Sequence, residues 1–311
     1  MQKIITLTMN PAIDKSASVE NVVPERKLRC RPPRYEPGGG GINVSRAIHK
    51  LGGESTAFYL AGGPLGEMLR NLLDQEGLNH RPINIKGLTR QNLTVYEEST
   101  GQQFRFGMPG PEVNEKEWQQ LLEKLLTHDP KPAYIVASGS LPSGVPKDFY
   151  AGVARSAKEI GARMILDTSG EPLSLAVQEG VYLIKPNLRE FGNLGEAEIE
   201  QETEQEALAR QIIDKGQSEV VVVSLGAAGA LLVEKQGYQR LRAPTVTIKS
   251  KVGAGDSMVA GITLKLAQGD SVVEAVRFGV AAGAAAVMTP GTELCRKEDA
   301  ESLYDKIAVH G

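Results

Sequence analysis

The sequence predicts an α/β protein built on a mostly parallel sheet, with a small antiparallel sheet standing off it. Three observations carry that expectation. Short runs rich in β-branched residues recur along the chain, most are separated by stretches with helical periodicity, and two polar segments interrupt the rhythm without a helical crossover. A strand covered by helices on both faces has no wet side to keep polar, so continuous apolar runs mark a parallel sheet. Alternation of strand and helix supplies the right-handed crossovers that such a sheet requires.

In chain order, IITLT (4–8) reads as the first strand. Segment 12–36, containing KLRCRPPRYE, alternates polar and apolar residues as an exposed strand does. A helix over NVSRAIHKL (43–51), a strand at STAFYLA (55–61) and a helix over PLGEMLRNLLDQEG (64–77) follow. Segment 88–108, NLTVYEES and QQFRFGM around a TG turn, reads as a second pair of polar strands. Segments 12–36 and 88–108 are expected to form a lid; two separate surface hairpins are the alternative. The helix NEKEWQQLLEKLL (114–126) then leads into strands AYIVAS (133–138), RMILD (163–167) and VYLIK (181–185). EQEALARQIIDKG (204–216) is helical, VVVVSL (220–225) is a strand, and SLGAAGALL (224–232) reads as strand, glycine-rich turn, strand. No repeat, low-complexity tract or linker divides the chain, which is expected to be one unit over 1–311.

Composition narrows the function classes. The 311 residues are 41% hydrophobic and 23% charged, with a net charge of −3. No basic block or interleaving of aromatic with basic residues suggests a nucleic-acid partner. No apolar run reaches the roughly 20 residues of a membrane helix, and MQKIITLT lacks the features of a signal peptide. Cys30 and Cys295 are far apart, as free cytosolic thiols are. A cytoplasmic protein is expected.

The chemistry is concentrated in a few short motifs. KVGAGDSMVAG (251–261) strips side chains from Gly253, Ala254 and Gly255 before Asp256, at what reads as a helix start. Bare N–H groups at a helix N-terminus attract anions. An acid there repels a phosphate but can take a proton from a hydroxyl attacking one. A helix-capping Asp after a glycine turn is the alternative. Glycines 38–41 in EPGGGGINVSR again empty a chain before a helix, which a close-approaching ligand would explain. KPNLRE (185–190) sets Asn187 and Glu190 three residues apart, either as oxygen donors suited to Mg²⁺ or as a capping box. The patterns of a P-loop, a Rossmann fingerprint and a G-x-S-x-G elbow are missing, and His49, His80, His128 and His310 have no metal or triad spacing. Phosphoryl transfer without a P-loop is the chemistry that remains.

TLTMNPAID, GGGGINVSRAIHKLGG, KPNLRE and KVGAGDS, in that order and spacing, resemble the signatures and metal motif of the PfkB (ribokinase-like) carbohydrate kinases over essentially the whole chain. The resemblance implies a ribokinase-like three-layer α/β/α sandwich with a β-lid that often joins two subunits. It implies an ATP-dependent sugar-phosphate kinase, with fructose 6-phosphate as the first candidate substrate and tagatose 6-phosphate or fructose 1-phosphate next. A catalytically weak sugar-phosphate sensor is the reading from another class. By the same resemblance Asp256 is the base, with Gly253, Ala254 and Gly255 as its anion hole. Asn187 and Glu190 position Mg²⁺–ATP through water or phosphate, and Lys185, Ser224, Gly226 and Gly229 line the nucleotide side. Asp14, Gly39, Gly40 and Asn43 hold sugar hydroxyls, and Ser138, Gly139 and Ser140 border the sugar. Lys27 and Arg90, expected on lid strands, meet the sugar phosphate. Ser250, Val252 and Gly291 surround a candidate K⁺, beside Lys251, Thr289 and Glu293 where the family pattern is altered. Glu293 could join that site, or pair with Lys251 and occupy it, and a weakened dependence on K⁺ is expected.

Overall fold

The computed structural model describes residues 1–196, 199, 201–307 and the backbone of 309–310. The chain begins β1 (Ile4–Thr8), β2 (Ala12–Val19), β3 (Arg34–Gly38), α1 (Gly40–Lys50), β4 (Thr56–Ala61), α2 (Gly63–Gln75) and β5 (Asn79–Asn84). It continues β6 (Arg90–Glu97), β7 (Gln103–Phe106), α3 (Glu115–Leu126), β8 (Tyr134–Ser138), α4 (Phe149–Glu159), β9 (Arg163–Asp167), α5 (Glu171–Gln178), β10 (Val181–Ile184) and α6 (Leu188–Leu194). The last part holds α7 (Glu202–Asp214), β11 (Ser218–Ser224), a short 3₁₀ turn at Gly226–Ala228, β12 (Ala230–Glu234), β13 (Gly237–Leu241), α8 (Ala254–Gln268), α9 (Val272–Val287), α10 (Lys297–Tyr304) and β14 (Val309–His310). No helix among the described residues is long and apolar enough to cross a membrane.

Among the described residues the main sheet runs β14-β13-β12-β11-β10-β9-β8-β1-β4-β5, parallel from β11 to β5 and antiparallel at its β12–β14 end. The period-2 geometry of a strand divides its residues between two cores. Ile4, Tyr134, Val136, Val220 and Val222 enter one with α1, α8 and α9, whereas Ile5, Leu7, Ile135, Val221 and Val223 enter the other with α3, α4, α5 and α7. The result is the expected three-layer sandwich. Each fully buried Val, Leu or Ile contributes about 1.5–3 kcal/mol, so both faces of the sheet are fixed by burial. Helix α8 is apolar almost all round and sits deep against α9, where glycines let the backbones close up: a Cβ on Gly261 would lie 3.0 Å from Gly279 Cα. That contact anchors the helix whose first turn carries Asp256.

The two polar segments form a separate sheet, ordered β3-β2-β6-β7. Its outer pairings are antiparallel, as expected, while the central pair β2–β6 is parallel, joined by the long excursion through α1, β4, α2 and β5. One expectation fails here. KLRCRPPRYE is strand only from Arg34 onward, so Lys27 and Arg29 lie in an exposed irregular segment between β2 and β3. Pro32 and Pro33 each lack the N–H that a ladder needs, which keeps this stretch out of the sheet.

Candidate active site

The carboxyl ends of parallel strands and the amino ends of the following helices converge on one crevice, the usual ligand position in an open α/β sheet. β8 ends at Ser138, β9 at Asp167 and β10 just before Lys185, while α1 and α8 present their first turns opposite. Between them lies a cavity of about 250 Å³ lined by Gly40, Ser138, Gly139, Ser140, Asp167, Thr168, Ser169, Glu190 and Asp256.

Asp256 stands in the first turn of α8, after Gly253, whose φ of 74° is a left-handed conformation that glycine adopts without strain. Its carboxylate opens to the cavity and is otherwise enclosed by protein, and Asn43 Nδ2 donates to Asp256 Oδ2 at 2.9 Å. Burial pushes its pKa up to about 7, helped by the nearby negative charge of Asp167 and opposed by the Asn43 hydrogen bond and Lys185. A carboxyl poised near neutrality beside bare N–H groups can exchange a proton there.

Lys185 is buried and pairs with Asp167 at 3.2 Å, and its Nζ lies 3.6 Å from where a Cβ on Gly255 would stand. Asp167 was not among the residues picked out from the sequence. Its signal was present, since RMILD ends in an acid at the carboxyl end of a parallel strand. Asn187 and Glu190 form the reciprocal capping box of α6: Glu190 N donates to Asn187 Oδ1 and Asn187 N to Glu190 Oε2, each at 2.9 Å. The capping alternative is therefore the geometry observed, and Glu190 lines the cavity as well.

The glycine run has a cause in the protein itself. A Cβ on Gly38 would stand 2.3 Å from Asp14 Oδ2, one on Gly40 2.3 Å from Ser138 Oγ, and one on Gly41 2.4 Å from the Leu7 carbonyl. The close approach expected of a ligand is made first by the ends of β1, β2 and β8. Gly40 and Gly41 belong to α1 rather than to a loop before it, and Gly40 still faces the cavity. Ser224 Oγ donates to the Pro186 carbonyl at 3.3 Å. Gly229 is required by the chain, because a Cβ there would lie 1.9 Å from the Leu241 carbonyl, whereas Gly226 faces open space. The glycine turn is thus part of an antiparallel β11–β12 hairpin.

On the side of the small sheet, Arg90 opens β6 and reaches to the chain after β1. Its Nη2 donates to the Asn10 carbonyl at 2.9 Å and its Nη1 to the Met108 carbonyl at 3.0 Å, while Nε is buried without a partner. Burial lowers its pKa and the charge of Asp14 opposes this. Asp14 Oδ1 accepts from Asn92 Nδ2 at 2.9 Å, and Asn10 Nδ2 donates to Ser140 Oγ at 3.1 Å. Asn10 and Asn92 were also missed by sequence reasoning, since an isolated Asn carries no signature. Lys27 is not brought to the site: it is exposed and makes no hydrogen bond or ion pair among the described residues.

At the candidate cation loop, Ser250 is buried, its Oγ accepts from Val252 N at 3.2 Å, and Gly291 turns with φ 60°. Glu293 pairs with Arg296 at 2.6 Å rather than with Lys251, which is exposed. A salt bridge three residues along is the shorter reach.

Residues 4–299 match the family described as pfkB family carbohydrate kinase, and the chain belongs to that family. Its similarity then becomes specific. It is 47% identical over 306 residues to an ATP-dependent 6-phosphofructokinase isozyme 2 of Mycobacterium tuberculosis, covering 98% of this chain and 90% of that one. It is 45% identical over 305 residues to the Escherichia coli protein of the same name, covering 98% of each. The crystal structure of phosphofructokinase-2 from Escherichia coli in complex with fructose-6-phosphate superposes with a TM-score of 0.93 at 44% identity, over 98% of this chain and 99% of that one.

Proposed function

We propose that the protein is an ATP-dependent 6-phosphofructokinase, moving the γ-phosphoryl group of ATP to O1 of fructose 6-phosphate and releasing fructose 1,6-bisphosphate and ADP. The observation that carries this reading is Asp256, a carboxylate with its pKa pushed up to about 7, held by Asn43 at the first turn of α8 and open to the cavity. The names and extents of the similar proteins support the choice of sugar phosphate.

In this reading Asp256 accepts the proton of the attacking hydroxyl as the O–P bond forms, and the bond from the γ-phosphorus to the ADP oxygen breaks. The N–H groups of Gly253, Ala254 and Gly255 face the transferring group, and Lys185 offsets charge that accumulates beside Asp167. Asp14, Gly39, Gly40 and Asn43 orient the sugar hydroxyls, with Ser138, Gly139 and Ser140 along its edge. Arg90 takes the 6-phosphate through its guanidinium, which two backbone carbonyls already hold in place. Ser224 and Gly226 border the nucleotide, where Gly226 leaves open space.

The donor set fits Mg²⁺. Glu190 has one carboxylate oxygen outside its capping box, Asp167 has one outside its pair with Lys185, and both residues line the cavity. When bound, the ion supplies neutralisation of phosphate charge. Hard oxygens also fit K⁺ near Ser250, Val252 and Gly291, where Thr292 Oγ1 is buried without a partner. The lid leaves Tyr35 and Phe106 exposed on one face of its sheet, in a row with Leu93, an apolar surface suited to a second copy of the chain. Two unpaired thiols suit the reducing cytoplasm.

The test is ADP release with fructose 6-phosphate, tagatose 6-phosphate, fructose 1-phosphate and fructose at fixed ATP and Mg²⁺. The highest kcat/KM is expected for fructose 6-phosphate. A higher value for another member reassigns the substrate, and binding without ADP release supports a sensor instead.

A further inference from the structure

Arg46 lies on α1 one turn after Asn43, and at 2% exposure it is among the most buried charges in the protein. Its guanidinium joins four elements. Nε and Nη2 grip Glu76, just past the end of α2, at 2.8 and 2.7 Å. Nη1 donates to two carbonyls, Pro37 at the root of the lid at 3.0 Å and Thr292 in the 288–294 loop at 3.3 Å. Glu36, also at the lid root, stands 3.8 Å from Nη2, and a Cβ on Gly291 would lie 3.4 Å from its other oxygen.

Each carbonyl is one or two residues from a wall of the active site. Pro37 precedes Gly38, whose α-carbon is packed against Asp14, and Gly40, packed against Ser138. Thr292 is two residues before Leu294, which is fully buried with φ 66° and fills the space where a Gly253 side chain would stand, 2.4 Å from that Cβ position. Thr289 Oγ1 closes the same loop by donating to the Leu294 carbonyl at 2.9 Å. A guanidinium is planar and always charged, so it fixes the directions of its acceptors as a flexible ammonium cannot.

We propose that Arg46 is a positioning residue for phosphoryl transfer, clamping the lid root at Pro37 to the 288–294 loop at Thr292 and so holding the glycines of the sugar side and the first turn of α8 at a fixed separation. The competing role is a structural ion pair that merely ties α1 to α2. That role uses only the contact of the Nε–Nη2 edge with Glu76; the clamp uses the Nη1 bonds to the Pro37 and Thr292 carbonyls, and Glu36 faces Nη2 from the lid root.

Three variants separate the two roles. Arg46→Lys keeps a charge for Glu76 and loses the two-carbonyl grip; Glu36→Gln weakens the lid-root side, where Glu36 faces both Arg46 and Gly291; Glu76→Gln weakens the α2 arm alone. Kinetically the proposal rests on the kinase reading, so a second readout is taken without substrate: amide hydrogen exchange of 34–40 and 288–294. The clamp expects faster exchange in both segments in Arg46→Lys and Glu36→Gln, and unchanged exchange there in Glu76→Gln. It expects kcat to fall roughly tenfold in Arg46→Lys, since small misplacements of reacting groups cost that much or more, and to stay within about twofold in Glu76→Gln. Where Arg46→Lys does not fold, Glu36→Gln carries the exchange test. Exchange unchanged at 288–294 in Glu36→Gln and Arg46→Lys, or equal effects from all three variants, overturns the clamp. Lack of wild-type turnover on fructose 6-phosphate counts against the proposed function and leaves the exchange result to decide the clamp.

Discussion

Replacing Asp256 with asparagine is expected to make the protein more stable at alkaline pH while removing its turnover. The carboxyl's pKa rises from 3.8 when unfolded to about 7 when folded, chiefly through burial. The folded state therefore holds the proton more tightly than the unfolded state does. Wild-type stability falls as pH rises between those two values and is level above pH 7. A shift of about three units corresponds to about 4 kcal/mol, and water in the open cavity brings this to roughly 2–4 kcal/mol. The amide of the variant carries no charge, keeps an oxygen for Asn43 Nδ2 at nearly the same volume, and escapes the cost. Urea unfolding at pH 8 should show Asp256→Asn more stable by that amount, shrinking to about 1 kcal/mol or less at pH 4.5. Turnover of the same preparation should drop roughly 10²–10⁴-fold. A variant less stable than wild type at both pH values, or one with near-normal turnover, would refute the reasoning.

Three further outcomes follow from the same geometry. The acid limb of kcat/KM against pH should bend near 7 with unit slope, because Asp256 must be ionised to accept a proton; a limb that bends below 5 contradicts this. Arg90→Ala should raise KM for fructose 6-phosphate by about ten- to a hundredfold, the loss of a charged hydrogen bond worth roughly 1.5–3 kcal/mol, and leave KM for ATP unchanged; an effect confined to ATP would remove Arg90 from the sugar phosphate. Because Glu293 is engaged by Arg296 and does not fill the cation loop with Lys251, the weakened K⁺ dependence expected from the sequence gives way to its opposite: removing K⁺ at constant ionic strength should lower activity and Na⁺ should restore it poorly; equal rates in both salts would contradict this.

The layers and the site were legible in the sequence to different degrees. Buried parallel strands declare themselves, because runs such as VVVVSL are apolar on both faces. Asp256 was legible because removing side chains from three successive positions is costly without a purpose. The irregular path of 21–33 was not, since basic residues alternating with apolar ones look like an edge strand until the two prolines are weighed. Glycines 38–41 were read as room for a ligand, whereas the atoms that crowd Gly38, Gly40 and Gly41 belong to Asp14, Ser138 and Leu7, which only the tertiary fold brings near. Asp167 and Arg46 escaped for the same reason, as their meaning depends on partners 9 to 246 residues away.

Phosphorus NMR of a reaction containing ATP, Mg²⁺ and fructose 6-phosphate tests the central claim most directly. The account expects ADP to appear together with a new phosphate monoester on C1 of the sugar, in equal amounts, and expects both to vanish in Asp256→Asn. Phosphate transferred to another carbon, ADP formed without a sugar bisphosphate, or full product formation by Asp256→Asn would contradict it.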